Sequence, residues 1–78
     1  MILLISKHAR TRMRERHVSR SLVLKALNNP DRRIANGYEL KNIKRFGSKA
    51  ILVVYTKSEE TTFVITVVLT SKLKKYLP

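Results

Sequence analysis

Two runs near the C-terminal end, Ala50-Ile51-Leu52-Val53-Val54-Tyr55 and Phe63-Val64-Ile65-Thr66-Val67-Val68-Leu69, are almost continuously apolar and rich in β-branched residues. Segments of this kind are covered on both faces and read as the central strands of a sheet. A chain of 78 residues has little to cover them with, because a domain this small buries only about 60% of the surface that its unfolded form exposes. The expectation is therefore one domain over 1–78, built as a single sheet with a helical cover, with 70–78 as a basic C-terminal tail.

The remaining elements follow from caps and breakers. Ile2 to Ile5 lacks polar alternation and predicts a short strand covered on both sides. Ser6 offers an N-cap hydroxyl for a helix over Lys7 to Arg16, and Ser19 does the same for a second helix from Arg20 to about Asn28. Leu22, Val23, Ala26 and Leu27 give that second helix an apolar face, which can share a core with Ala9 and Met13. Helices joined by so few residues should form an antiparallel hairpin. Pro30 stops the second helix. Asn36-Gly37 is a two-residue hairpin signal, so Arg32 to Ala35 should pair with a strand starting at Tyr38. The apolar positions 38, 40, 43 and 46 break alternation near Lys41-Asn42, where a bulge is expected. Gly47-Ser48 and Ser58-Glu59-Glu60 then turn the chain into the two central strands. Leu73, Tyr76 and Leu77 fall at helical spacing, so the tail is either a short helix or disordered. The sum is an α+β domain: an N-terminal strand and a two-helix hairpin packed on one face of an antiparallel β-sheet meander.

Charge points to a partner. Seventeen Lys and Arg against five carboxylates leave a net charge of +12. Self-repulsion of that size opposes compaction unless a polyanion, either nucleic acid or an acidic protein, offsets it. The absence of cysteine excludes disulfides and thiolate metal sites and fits a cytoplasmic protein. Met1 to Ile5 is too short for a signal-peptide core or a membrane span, and Lys7 and Arg10 follow it instead of preceding it. No membrane partner is expected.

The stretch Ser6 to Arg16 concentrates one histidine and four arginines on one short helix. At roughly 100° per residue, Ala9 and Met13 form a narrow apolar stripe. His8, Arg12 and Arg16 run along one flank of it, while Arg10 and Arg14 point to solvent. That flank is the candidate site. An uncharged imidazole at His8 can take a proton from an RNA 2′-hydroxyl, or it can simply hydrogen-bond at the helix start. Arg12 can clamp a phosphate with its planar fork, or pair with Glu15. Arg16 can do likewise, or lay its stem across apolar surface with the head in water. Tyr55, ending a central strand, either reaches this cleft as a proton carrier or packs in the core.

Around this site lie further candidates for nucleic-acid contact. Arg20 at a helix start stands beside free N–H groups that favour an anion. Lys44 and Arg45, with Lys41 and Lys49, make a basic edge that otherwise serves to block strand pairing. Lys74, Lys75 and Tyr76 place an aromatic among cations, a pattern suited to RNA. The carboxylates form no pair with ligand spacing, and His8 and His17 lie on opposite sides of a continuous helix, so no metal or cofactor is expected and a two-metal nuclease is disfavoured. RNA carries its own nucleophile, so arginines plus a histidine or tyrosine suffice for it by charge stabilisation and proton transfer.

The run His8-Ala9-x-x-Arg12-Met13-x-x-Arg16, followed by Val18-Ser19, the Asn29-Pro30 stop and the strand end Val64-Ile65-Thr66-Val67, resembles a small uncharacterised prokaryotic family related to the RelE/ParE toxin superfamily. The resemblance covers residue 6 to about residue 69. It implies that superfamily's element order, a toxin of a toxin–antitoxin pair, and either mRNA cleavage on the ribosome or action on a protein target such as gyrase. It also implies an acidic antitoxin partner, whose segment can add to an exposed sheet edge. This chain departs from the pattern at His17, where similar sequences often carry Gly, and at Arg20-Ser21, where they often carry acidic residues. A metal-independent RNA endonuclease and a non-catalytic basic binding module both remain open from the sequence.

Overall fold

The computed structural model describes residues 1–78. Its elements run β1 (Ile2–Ile5), α1 (Lys7–Glu15), α2 (Arg20–Asn28), β2 (Arg32–Asn36), β3 (Glu39–Phe46), β4 (Lys49–Ser58), β5 (Thr61–Thr70) and α3 (Leu73–Tyr76). The α+β class and the order of elements match the sequence reading. The sheet is mixed, with strand order β1-β5-β4-β3-β2. β2 to β5 form an antiparallel meander, whereas β1 lies parallel to β5, pairing Ile2–Ile5 with Thr61–Val64.

Placing β1 at the edge corrects one expectation. Ile2 and Leu4 are 53% and 50% exposed, because no helix covers the outer face of the sheet there. Only Leu3 and Ile5 turn toward the core. The expected cover on both sides of β1 is therefore absent from one side.

α1 packs on β5, and α2 on β4 and β3. Ala9, Met13, Val23, Ala26 and Leu27 meet Ile51, Val53, Tyr55, Val64 and Val67 in the main core. Each of the fully buried Ile and Val side chains contributes about 1.5–3 kcal/mol relative to exposure. The opposite face is not bare, as a one-sided packing would leave it. α3 lays Leu73, Tyr76 and Leu77 over Ile43, Ala50 and Leu52 in a smaller second cluster. The tail is thus a short docked helix, because its three apolar side chains match an apolar strip of β3 and β4.

Two hairpin turns use glycine where positive φ is required. Asn36 pairs with Glu39 and Phe46 with Lys49, so the loop residues are Gly37-Tyr38 and Gly47-Ser48, with φ +64° and +60° at the glycines. The first loop lies one residue later than Asn36-Gly37 suggests, since only the first central position carries positive φ, as in a Gly-first turn.

β3 pairs in unbroken register with both neighbours, so the bulge expected at Lys41-Asn42 is not there. Alternation fails in the sequence because Asn42, fully buried, occupies a core-facing position. Its Nδ2 donates to the carbonyls of Ala26 (3.0 Å) and Leu27 (3.3 Å) at the end of α2. Its Oδ1 accepts from Tyr55 Oη (3.0 Å) and Arg33 Nε (3.1 Å). The actual irregularity lies between β4 and β5, where Val54 pairs with Thr66 and Tyr55 with Val64, leaving Ile65 as an extra residue.

Ser6 ties that bulge to the first helix. Its N–H donates to the Val64 carbonyl (2.9 Å) and its hydroxyl to the Ile65 carbonyl (2.7 Å), while the same hydroxyl accepts from the Ala9 N–H (2.9 Å). At the other end of α1, Val18 N–H bonds the Met13 carbonyl and His17 N–H the Arg14 carbonyl, a Schellman closure with Val18 and Met13 both in the core. His17 has φ +57°, the left-handed region where glycine is normally preferred.

Stability changes follow at four positions. Ser6→Ala should lower the urea unfolding free energy by about 1–2 kcal/mol, losing a cap and a long-range hydrogen bond. Asn42→Leu should cost about 2–4 kcal/mol by leaving two carbonyls and the Tyr55 hydroxyl unpaired, with Tyr55→Phe costing about 1 kcal/mol; equal losses would contradict the network. His17→Gly should raise stability by up to about 1 kcal/mol and shift the midpoint upward, whereas His17→Val should lower it.

Candidate functional site

The same junction at Ser6 opens a groove. β1 pairs with β5 only as far as Val64, and the chain then leaves the sheet to become α1. Residues 66–69 of β5 therefore have β4 on one side and no strand on the other. Along this free edge every second residue turns its backbone N–H and C=O away from β4. α1 crosses above, holding Ala9 and Met13 on the core. Its flank, at i, i+4 and i+8, leans over the edge.

The result is a groove of about 240 Å³ lined by His8, Arg12, Arg16, Thr66, Val67, Val68 and Leu69. It brings together three of the four residues singled out as catalytic. All three are exposed at its wall, and no carboxylate lines it. Arg12 lies 3.8 Å from Glu15, with both side chains about half exposed, so the pair contributes little and leaves the guanidinium accessible. Cations in the last turn also stabilise the helix dipole, which accounts for part of the arginine content of α1 without a ligand. Arg10 and Arg14 are exposed and do not line the groove.

The fourth residue, Tyr55, does not join them. It is 3% exposed, and its hydroxyl is committed to Asn42. Tyr55 faces the core because its register partner, Val64, lies under α1. The alternative of core packing applies.

The expected nucleic-acid residues are dispersed. Arg20 opens α2, exposed and outside the groove. Lys44 and Arg45 lie on β3, two strands away from β5, and adjacent strand positions point to opposite faces. Lys44 pairs with Asp31 at 3.8 Å. Arg45 bonds Asp31 through its N–H and the Gly47 carbonyl through Nε. The edge they were expected to form beside the helix flank does not exist. Lys74, Lys75 and Tyr76 belong to α3, across the sheet from α1. Tyr76 is half-buried, with Lys75 Nζ 5.4 Å from its ring centroid and Arg32 donating to its carbonyl at 2.9 Å.

Sequence reasoning missed Thr66, which lines the groove from the β5 edge, because it reads as one more β-branched strand residue. It also missed Asn42, whose only signal is a break in alternation. No three His, Cys, Asp or Glu side chains come together anywhere in the chain, and no helix is long and apolar enough to cross a membrane.

No curated protein and no solved structure gives a match to the chain. A family model described as "Domain of unknown function (DUF4258)" matches residues 5–68. That span begins at the end of β1 and includes α1, α2 and β5 as far as Val68. It therefore holds most of the groove and excludes α3. The chain belongs to the DUF4258 family.

Proposed function

We propose that the chain is a metal-independent RNA endonuclease, the toxin of a toxin–antitoxin pair of RelE/ParE type, acting in the cytoplasm on free or ribosome-bound RNA. The observation that carries this reading is the convergence of His8, Arg12 and Arg16 on one open groove. An imidazole and two guanidinium groups are a sufficient set for RNA. His8 takes the proton of the 2′-hydroxyl as its oxygen attacks the neighbouring phosphorus. Arg12 and Arg16 hold the phosphate and offset the charge gathering on its oxygens. The bond from phosphorus to the 5′-oxygen then breaks, and that oxygen leaves with the proton returned by the imidazolium, giving a 2′,3′-cyclic phosphate and a 5′-hydroxyl. An acidic antitoxin segment adding to the free edge of β5 would meet the same arginines.

The burial of Tyr55 supports a second reading. It removes one proton carrier from the site, leaving His8 alone, which suits a module that binds RNA or an acidic partner without cleaving.

Incubation of the purified protein with single-stranded RNA in EDTA separates the two. Cleavage should yield cyclic phosphate ends, and His8→Ala should slow it by about 10²–10⁴-fold. Equal cleavage by His8→Ala removes the site from the chemistry. Binding that weakens with salt at a slope of about −0.7 per phosphate contact, with no product, favours the binding module. Growth arrest on induced expression with RNA left intact points to a protein target instead.

A further inference from the structure

Two of the residues that line the groove, Thr66 and Val68, lie by register on the sheet face opposite α1 and α2, beside Val54 and Leu52, and that face has two further features. The first is an apolar strip. Ile2, Leu4, Phe63 and Val68 are 53%, 50%, 41% and 42% exposed, and the register puts all four on this outer face: Leu4 beside Phe63, and Val68 beside Leu52. The second is a row running straight from the groove floor across three strands, Thr66 beside Val54 and Val54 beside Lys41. With strands about 4.8 Å apart, Lys41 stands about 10 Å from the groove's β5 edge. All three members of this row are half-buried, not covered. α3 caps the neighbouring part of the face, over Ile43, Ala50 and Leu52, and its Lys74 and Lys75 are exposed there.

Charge selects the occupant. Neither of the chain's two ion pairs, Arg12 with Glu15 and Lys44 with Asp31, involves Lys41, Lys74 or Lys75. Glu39, two residues from Lys41 on the same face, is the acidic group nearest along β3, so a phosphate path follows the row of Lys41 and not that of Glu39. A second copy of a chain with net charge +12 would be repelled. A half-exposed phenylalanine on an open sheet is the arrangement that stacks a base, and Lys41, two strands from Phe63 on the same face, is placed for a phosphate further along the strand.

We propose that this outer face is a track for single-stranded RNA, with Phe63 stacking a base and Lys41 holding a phosphate of the strand that leaves the groove. The inference rests on the groove binding RNA and adds where the flanking nucleotides go.

Fluorescence anisotropy with 2′-O-methylated RNA, which cannot be cleaved through the 2′-oxygen, tests it with two probes, a dinucleotide that fills only the groove and an octanucleotide. The octanucleotide should bind more tightly. Phe63→Ala should weaken it about ten-fold or more and leave the dinucleotide unchanged, while Phe63→Tyr retains tight binding and Phe63→Leu does not. Lys41→Gln should reduce the salt slope for the octanucleotide by about 0.7. Equal affinity for the two probes, or full binding by Phe63→Leu, overturns the track. So does a concentration-dependent dimer, seen by light scattering, that Phe63→Ala dissociates. Arg12→Gln weakening both probes while Phe63→Ala weakens neither would leave the groove reading standing and remove the track alone. Failure of the wild-type chain to bind either probe removes both.

Discussion

The hydroxyl of Ser6 joins three elements at one point. By donating to the Ile65 carbonyl and accepting from the Ala9 N–H, it ends β1, anchors the bulge in β5 and starts α1. Each consequence matters for the site. Ending β1 at Ile5 leaves residues 66–69 of β5 without a neighbour on that side. Starting α1 there, with its rotation set by a cap that leaves Ala9 and Met13 on the core, aims His8, Arg12 and Arg16 over the open edge. A helix rotated by one residue, about 100°, would point the same side chains to solvent and present Arg10 or Arg14 to the core.

A buried polar side chain does comparable work at the centre of the sheet. Asn42 occupies a position that an aliphatic residue would fill in an all-apolar core, yet each of its side-chain polar atoms is bonded. It closes the end of α2, holds the Tyr55 hydroxyl and takes a bond from Arg33. A fully satisfied network of this kind fixes one register among alternatives that hydrophobic burial alone would tolerate. It also decides a functional question, because the hydroxyl it holds is thereby withdrawn from the groove.

The positive charge is distributed by the same architecture. α1 carries its cations on the flank and back, while Lys44 and Arg45, adjacent in sequence, are sent to opposite faces of β3. α3 places Lys74 and Lys75 beyond the sheet from the groove. A polyanion neutralising this chain would have to meet more than one face of it.

Much was legible along the chain because it depends on local chemistry. Ser6 and Ser19 cap helices by reaching their own first turns, Pro30 stops one for want of an N–H, and Gly37 and Gly47 turn the chain where other residues resist positive φ. The periodicity of α1 separated His8, Arg12 and Arg16 from Arg10 and Arg14 for the same reason. What tertiary structure alone decided involves partners distant in sequence: β1 alongside β5, Asn42 under α2, α3 on the far face, and Tyr55 turned inward. The flank of the candidate site is thus a property of one helix and could be read from it. Its floor is the edge of a strand left unpaired some sixty residues later, and strand pairing is settled by the burial of whole faces, which no local pattern encodes.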